Sequence, residues 1–130
     1  MCIRDSYVHA WERGDIAAVV AMLTDDATVT MPPRPTWYRG RDAAEEFLRT
    51  YPLADHRRSV LYPAAVNAQL AFGHYFWEPV TGRYLPHGVT VLTLRGPRIA
   101  DITTFLDLAD FERLELPSEL GAVVRGRVEL

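Results

Sequence analysis

Two histidines stand where this chain could do chemistry. His74 lies in Gly73-His74-Tyr75-Phe76-Trp77 and His87 in Leu85-Pro86-His87-Gly88-Val89, on either side of Thr81-Gly82. Histidine titrates near neutral pH and serves as acid, base or ligand donor. On paired strands facing an apolar cavity the two would mark a site; facing water they would mean little. The plainer reading is a pair of buried, hydrogen-bonded or rim histidines. Tyr7, Trp11, Met31, Trp37, Phe72, Phe76 and Thr104 are the other candidate ligand contacts, with His74, His87 and Tyr7 the only candidates for acid or base. No metal is expected, because the histidines and Cys2 lack a third ligand at suitable spacing. No cofactor is expected either.

The elements that must position these residues are legible in part. Tyr7, Ala10 and Trp11 form a helical stripe ending at Gly14-Asp15, and Asp15 can cap a second helix over 16–23 with Ile16, Val19, Val20 and Leu23 on one face. Thr24-Asp25-Asp26 is read as the end of that helix, and the alternation over 27–31 as a strand stopped by Pro32-Pro33. Three prolines and Trp37-Tyr38 make 32–39 a stiff loop in which Trp37 could lid a cavity. A third helix over 41–51, with Ala44, Phe47 and Leu48 inward, ends at Pro52. Arg39 and Arg41 flank its start and are expected in solvent, as is Asp101.

Strands are expected over 57–66, with Pro63 marking an edge or bulge, and over 69–78, 84–94 and 98–107. Their turns fall at Asn67-Ala68, Thr81-Gly82 and Gly96-Pro97, and at most a short helix follows Leu108. If Thr81-Gly82 centres a two-residue hairpin, Phe76 faces His87 and His74 faces Val89. Phe72, His74, Phe76, His87, Val89, Val91, Ile102, Thr104 and Leu106 then share one face, subject to any bulge. Three helices ahead of an antiparallel run imply an α+β fold, the helices on one face of a strongly bent sheet that forms a cone around an apolar cavity.

Bulk properties narrow the function. The 130 residues fit one domain. A net charge of −3 leaves no electrostatic footprint for direct nucleic-acid binding. No apolar run is long enough to span a bilayer and no secretory pattern opens the chain, so a cytoplasmic protein is the reading. Residues 1–6, Met1-Cys2-Ile3-Arg4-Asp5-Ser6, resemble a translated sequencing-linker scar and are read as a non-native leader; 7–120 is the domain and 121–130 a tail.

Tyr7-x-x-x-Trp11-x-x-Gly14-Asp15, Leu23-Thr24-Asp25-Asp26-Ala27-Thr28-Val29 and Gly96-Pro97-Arg98-Ile99-Ala100-Asp101-Ile102 resemble the opening and ending of nuclear transport factor 2-like proteins. Within that superfamily, Met31-Pro32-Pro33-Arg34-Pro35-Thr36-Trp37-Tyr38-Arg39-Gly40, Ala71-Phe72-Gly73 and Pro86-His87 resemble the SnoaL-like domain at the C-terminus of extracytoplasmic-function sigma factors. The resemblance implies a cone-shaped fold, a small hydrophobic or aromatic ligand, sigma-factor regions or RNA polymerase as partners in a longer protein, and a homodimer.

Enzymes of the superfamily match poorly at their working positions. Aligned with ketosteroid isomerases, Tyr7 matches the helix tyrosine, but the base falls on Met31 and the protonated acid near Thr90. Aligned with limonene epoxide hydrolases, the arginine falls on Phe72 and the two aspartates on His74 and Thr104. The expectation is therefore a ligand-binding, regulatory domain. The alternatives are a cofactor-free enzyme on a hydrophobic substrate (epoxide hydrolase, isomerase or polyketide-cyclase-like) using His74 or His87, and a dimerisation module.

Overall fold

The computed structural model describes residues 3–35, 37–50, 58–66 and 69–121. Cys2, Pro52, Arg57, the Asn67-Ala68 turn and most of the tail lie outside the described residues. The elements run α1 (Ile3–Arg13), α2 (Ile16–Ala21), β1 (Leu23–Thr30), β2 (Trp37–Arg39), α3 (Arg41–Thr50), β3 (Ser59–Val66), β4 (Gln69–Glu78), β5 (Arg83–Arg95), β6 (Arg98–Phe105) and α4 (Ala109–Arg113). Six strands form one sheet in the order β2-β1-β6-β5-β4-β3, antiparallel except where β1 pairs with β6. The expected α+β class holds.

Local chemistry explains the helix ends. Gly14, at φ +70°, lets its N–H reach the Trp11 carbonyl while Asp15 N–H reaches that of Ala10, which closes α1. The Asp15 carboxylate then accepts from Ala18 N–H at 3.0 Å and opens α2, as expected. Helix α1 begins earlier than its stripe suggests, at Ile3, and Ile3 packs against the core. Helix α2 ends earlier than expected. Leu23 belongs to β1, where it pairs with Ile99 and its carbonyl accepts twice from Arg41.

Thr24-Asp25-Asp26 likewise lies in β1 and does not end a helix. The register with β6 shifts between Leu23 and Thr28, so both aspartates project to arginines, Asp25 to Arg41 and Asp26 to Arg95. The Arg95 hydrogen bond to Asp26 holds its carboxyl below the usual range. Arg41 is therefore a tie between α3 and β1 and not a solvated flank. Asp101 is half-buried and accepts from the hydroxyls of Thr28 and Thr103.

Both sheet faces carry a core. The inner one gathers Tyr7, Trp11, Val29, Phe47, Phe72 and Leu92 under the three N-terminal helices. The outer one packs Val60, Tyr75, Val89 and Val91 under Phe111, Leu116 and Leu120. The segment after β6 is thus a strap across the β3–β5 half of the outer face. The Tyr75 hydroxyl donates to the Pro117 carbonyl at 2.6 Å, Tyr84 and Leu120 exchange two backbone bonds of 3.0 Å, and Arg83 pairs with Glu119.

The β4–β5 register departs from the expected hairpin. Residues 79–82 form the connection, Glu78 opposes Arg83, and Phe76 opposes Leu85. A slip of this size keeps the same side chains on each face. Beyond it, Tyr75 opposes Pro86 while His74 opposes Gly88, so His87 is the extra residue of a bulge. The bulge keeps His87 beside His74 but sends Val89 and Val91 to the outer core, against expectation. Thr90 and Leu92 take the inner positions, opposite Phe72 and Leu70.

Gly88 is required there. A Cβ at this residue would lie 2.8 Å from the Phe105 carbonyl oxygen and 2.9 Å from the Thr104 methyl. Gly88→Ala should destabilise the fold by about 1–3 kcal/mol, as forced overpacking does. Urea unfolding checks this; an unchanged midpoint would refute the tight bulge.

Candidate functional site

The bulge and the inner strand faces bring His74 and His87 together. Their ring centroids lie 5.8 Å apart and nearly perpendicular. Phe76 sits 4.7 Å from His74 and 4.9 Å from His87. Trp11 of α1 meets His74 edge-on at 4.9 Å. His74 is only 4% exposed, whereas His87 is half-buried. The expected sharing of a face is therefore correct for both histidines and for Phe72 and Phe76.

Beneath the rings is a cavity of about 20 Å³, lined by Trp11, Met31, Phe47, Leu48, His74, His87 and Thr104 among others. That volume holds about one water molecule. No carboxylate, arginine or lysine is among the described lining residues. Thr104 shares a hydrogen bond of 2.9 Å with the buried hydroxyl of Thr90, which opposes it on β5. Thr90 and Met31, the positions aligned with the isomerase acid and base, thus stand on the cavity side without an ionisable group.

Other expected contacts are placed elsewhere. Tyr7 is fully buried and stacks on Phe72 with centroids 5.7 Å apart, behind the cavity wall. Burial raises its phenol well above the usual range, moderated by the nearby Trp11 indole. Phe72 is fully buried, behind the wall of a different groove between α1 and β3.

Trp37 is 57% exposed and opposes Thr30, on the outer face of the sheet. Tyr38, opposite Val29, turns inward and stacks on Phe47 at 4.7 Å. A short strand where a loop was expected imposes alternation, and alternation assigns the two aromatics to opposite faces. The segment therefore delivers Tyr38, not Trp37, to the inner side. Its pairing as β2 was the signal that the sequence reading missed, along with Thr90 and the cavity side of Val29, Phe47 and Leu48.

The threonine pair offers a direct test of cavity polarity. Thr90→Val or Thr104→Val alone strands a buried hydroxyl and should cost about 1–3 kcal/mol. The double substitution should cost less than the sum, because no unpaired hydroxyl remains. Denaturant unfolding of the three variants checks this; strict additivity would refute the coupling.

Comparison with known proteins agrees with this geometry. Residues 4–102 match the family model of the SnoaL-like domain. The extracytoplasmic-function RNA polymerase sigma factor SigG of Mycobacterium tuberculosis, in strains CDC 1551 and H37Rv, is 30% identical over 118 residues, covering 88% of this chain and 30% of that protein. The chain thus spans about 30% of the length of the curated relatives it matches. A nuclear transport factor 2-like protein of unknown function from Burkholderia xenovorans superposes with a TM-score of 0.65 at 15% identity, covering 79% of this chain and 78% of that one. A Kribbella flavida protein described as a candidate ketosteroid isomerase gives 0.64 at 17% identity, covering 78% and 73%. At these identities the two structures speak for the fold alone. With its inner and outer cores, its mixed sheet and its matched residues, the chain belongs to the SnoaL-like domain family and has the nuclear transport factor 2-like fold.

Proposed function

We propose that the domain binds a small hydrophobic or aromatic molecule at His74 and His87 and so regulates a protein to which it is attached or bound. The observation that carries this reading is the convergence of two imidazoles and a threonine hydroxyl on a cavity otherwise walled by aromatic and aliphatic side chains. Sites of this kind fix a ligand's body by apolar contact and its orientation by a few polar groups. The cavity admits about one water, so binding requires the side chains of Met31, Phe47 and Leu48 to make room.

The match to sigma factor SigG supports a place in transcription regulation, with sigma-factor regions or RNA polymerase as the partner. A cytoplasmic location follows from that role, and no helix among the described residues is long and apolar enough to cross a membrane. Homodimerisation would use the β1–β2–β6 half of the outer face, where Trp37 and Phe105 are exposed and the strap does not reach. Acid–base catalysis would rest on His74 or His87, and the described cavity wall supplies no carboxylate to orient either ring.

Thermal stabilisation by a panel of small aromatic and aliphatic compounds tests the reading. A ligand at about 100 times its Kd should stabilise the parent by about 2.7 kcal/mol. His74→Ala and His87→Ala should lose most of that effect, while Phe105→Ala keeps it. Equal stabilisation of parent and both histidine variants would sink the proposal.

A further inference from the structure

The groove between α1 and β3 is separate from the histidine cavity and far larger. Its volume of about 610 Å³ falls within the range of small-molecule sites. Val8 on α1 and Tyr62 and Pro63 on β3 give it an accessible apolar lining, with Leu61 and Phe72 buried behind them. The α1 wall carries His9 and Glu12, one helical turn apart. Arg4 and Asp5, of opposite charge, also line it.

Glu12 decides what this groove can hold. Its carboxylate is half-buried and accepts a hydrogen bond from Leu61 N–H at 3.2 Å. None of the ion pairs among the described residues includes Glu12. Burial holds its carboxyl above the usual range, and the Leu61 bond offsets only part of that. A carboxylate so poorly compensated beside apolar side chains favours a cation with an apolar body.

The sheet edge argues against a peptide strand as the occupant. Strand β3 lies at the edge of the sheet, and its Leu61 N–H is already taken by Glu12. Pro63, two residues on, has no N–H to offer. An added strand would find no consecutive donors here.

We propose that the α1–β3 groove binds a small amphiphilic organic amine, its ammonium paired with Glu12 and its apolar body lying along Val8, Tyr62 and Pro63. Phenethylamine and its neutral isostere 2-phenylethanol test this by NMR titration at pH 7. The parent protein should bind the amine at least about tenfold more tightly than the alcohol, a difference of about 1.4 kcal/mol. Glu12→Gln keeps an acceptor for Leu61 N–H and should abolish that preference while leaving the alcohol's affinity unchanged. Because burial opposes the charge, Glu12→Gln should melt no lower than the parent at pH 7. His9→Arg, at an exposed position one turn from Glu12, should also weaken the amine about tenfold by placing a competing cation there. His74→Ala and His87→Ala should leave amine binding intact, so failure of the cavity reading and failure of this one are separable. Absence of saturable amine binding, or a preference for the amine that persists in Glu12→Gln, overturns the proposal.

Discussion

The close approach of Gly88 to the Phe105 carbonyl is the constraint on which the site depends. A strand alternates strictly, so His87 and Val89 would share a face, and every inner position beyond them would carry the same parity. The extra residue at His87 breaks that alternation once. It leaves His87 beside His74 and hands the inner face to Thr90 and Leu92, while Val89 and Val91 drop into the outer core. Only a residue without a Cβ fits at the point where β5 presses on β6. One glycine thus couples the polar lining of the cavity to the packing of both sheet faces.

A sheet covered on both sides explains the rest of the architecture. The inner face is closed by helices whose apolar stripes meet β1, β4 and β6. Half of the outer face is closed by the chain's own strap, anchored by Tyr75, Leu120 and the Arg83–Glu119 pair. Burial on the outer side therefore does not need a second copy over β3–β5. The inner side is packed almost to completion, which makes the histidine cavity a small, mostly apolar void marked by three polar side chains, while a large open groove lies outside α1 at Glu12.

Much of the fold was legible because helical and capping signals are local. Ala44, Phe47 and Leu48 repeat at the helical period, and Asp15 can serve as a cap from its own sequence neighbourhood. Pro63 marked an edge strand for an equally local reason, its missing N–H. The site was legible by residue type more than by placement. His74, His87, Trp11, Met31 and Thr104 are brought together as expected. Trp37 is not, because β2 pairing with β1 turns Tyr38 inward in its place. Leu23 and Asp25-Asp26 looked like a helix end, yet pairing with β6 and the arginines of α3 and β5 draws them into a strand.

Sequence alone determined the order of the helices and of every strand but β2, the inward helix faces, the α+β class and the family resemblance. Those properties follow from side-chain period and turn chemistry within a few residues along the chain. Tertiary structure alone decided which strand neighbours share a face beyond the bulge, which of two adjacent aromatics points inward, and that Glu12 meets the edge of β3. These depend on pairing between segments distant in sequence, where a shift of one residue reverses a face and no local pattern records it.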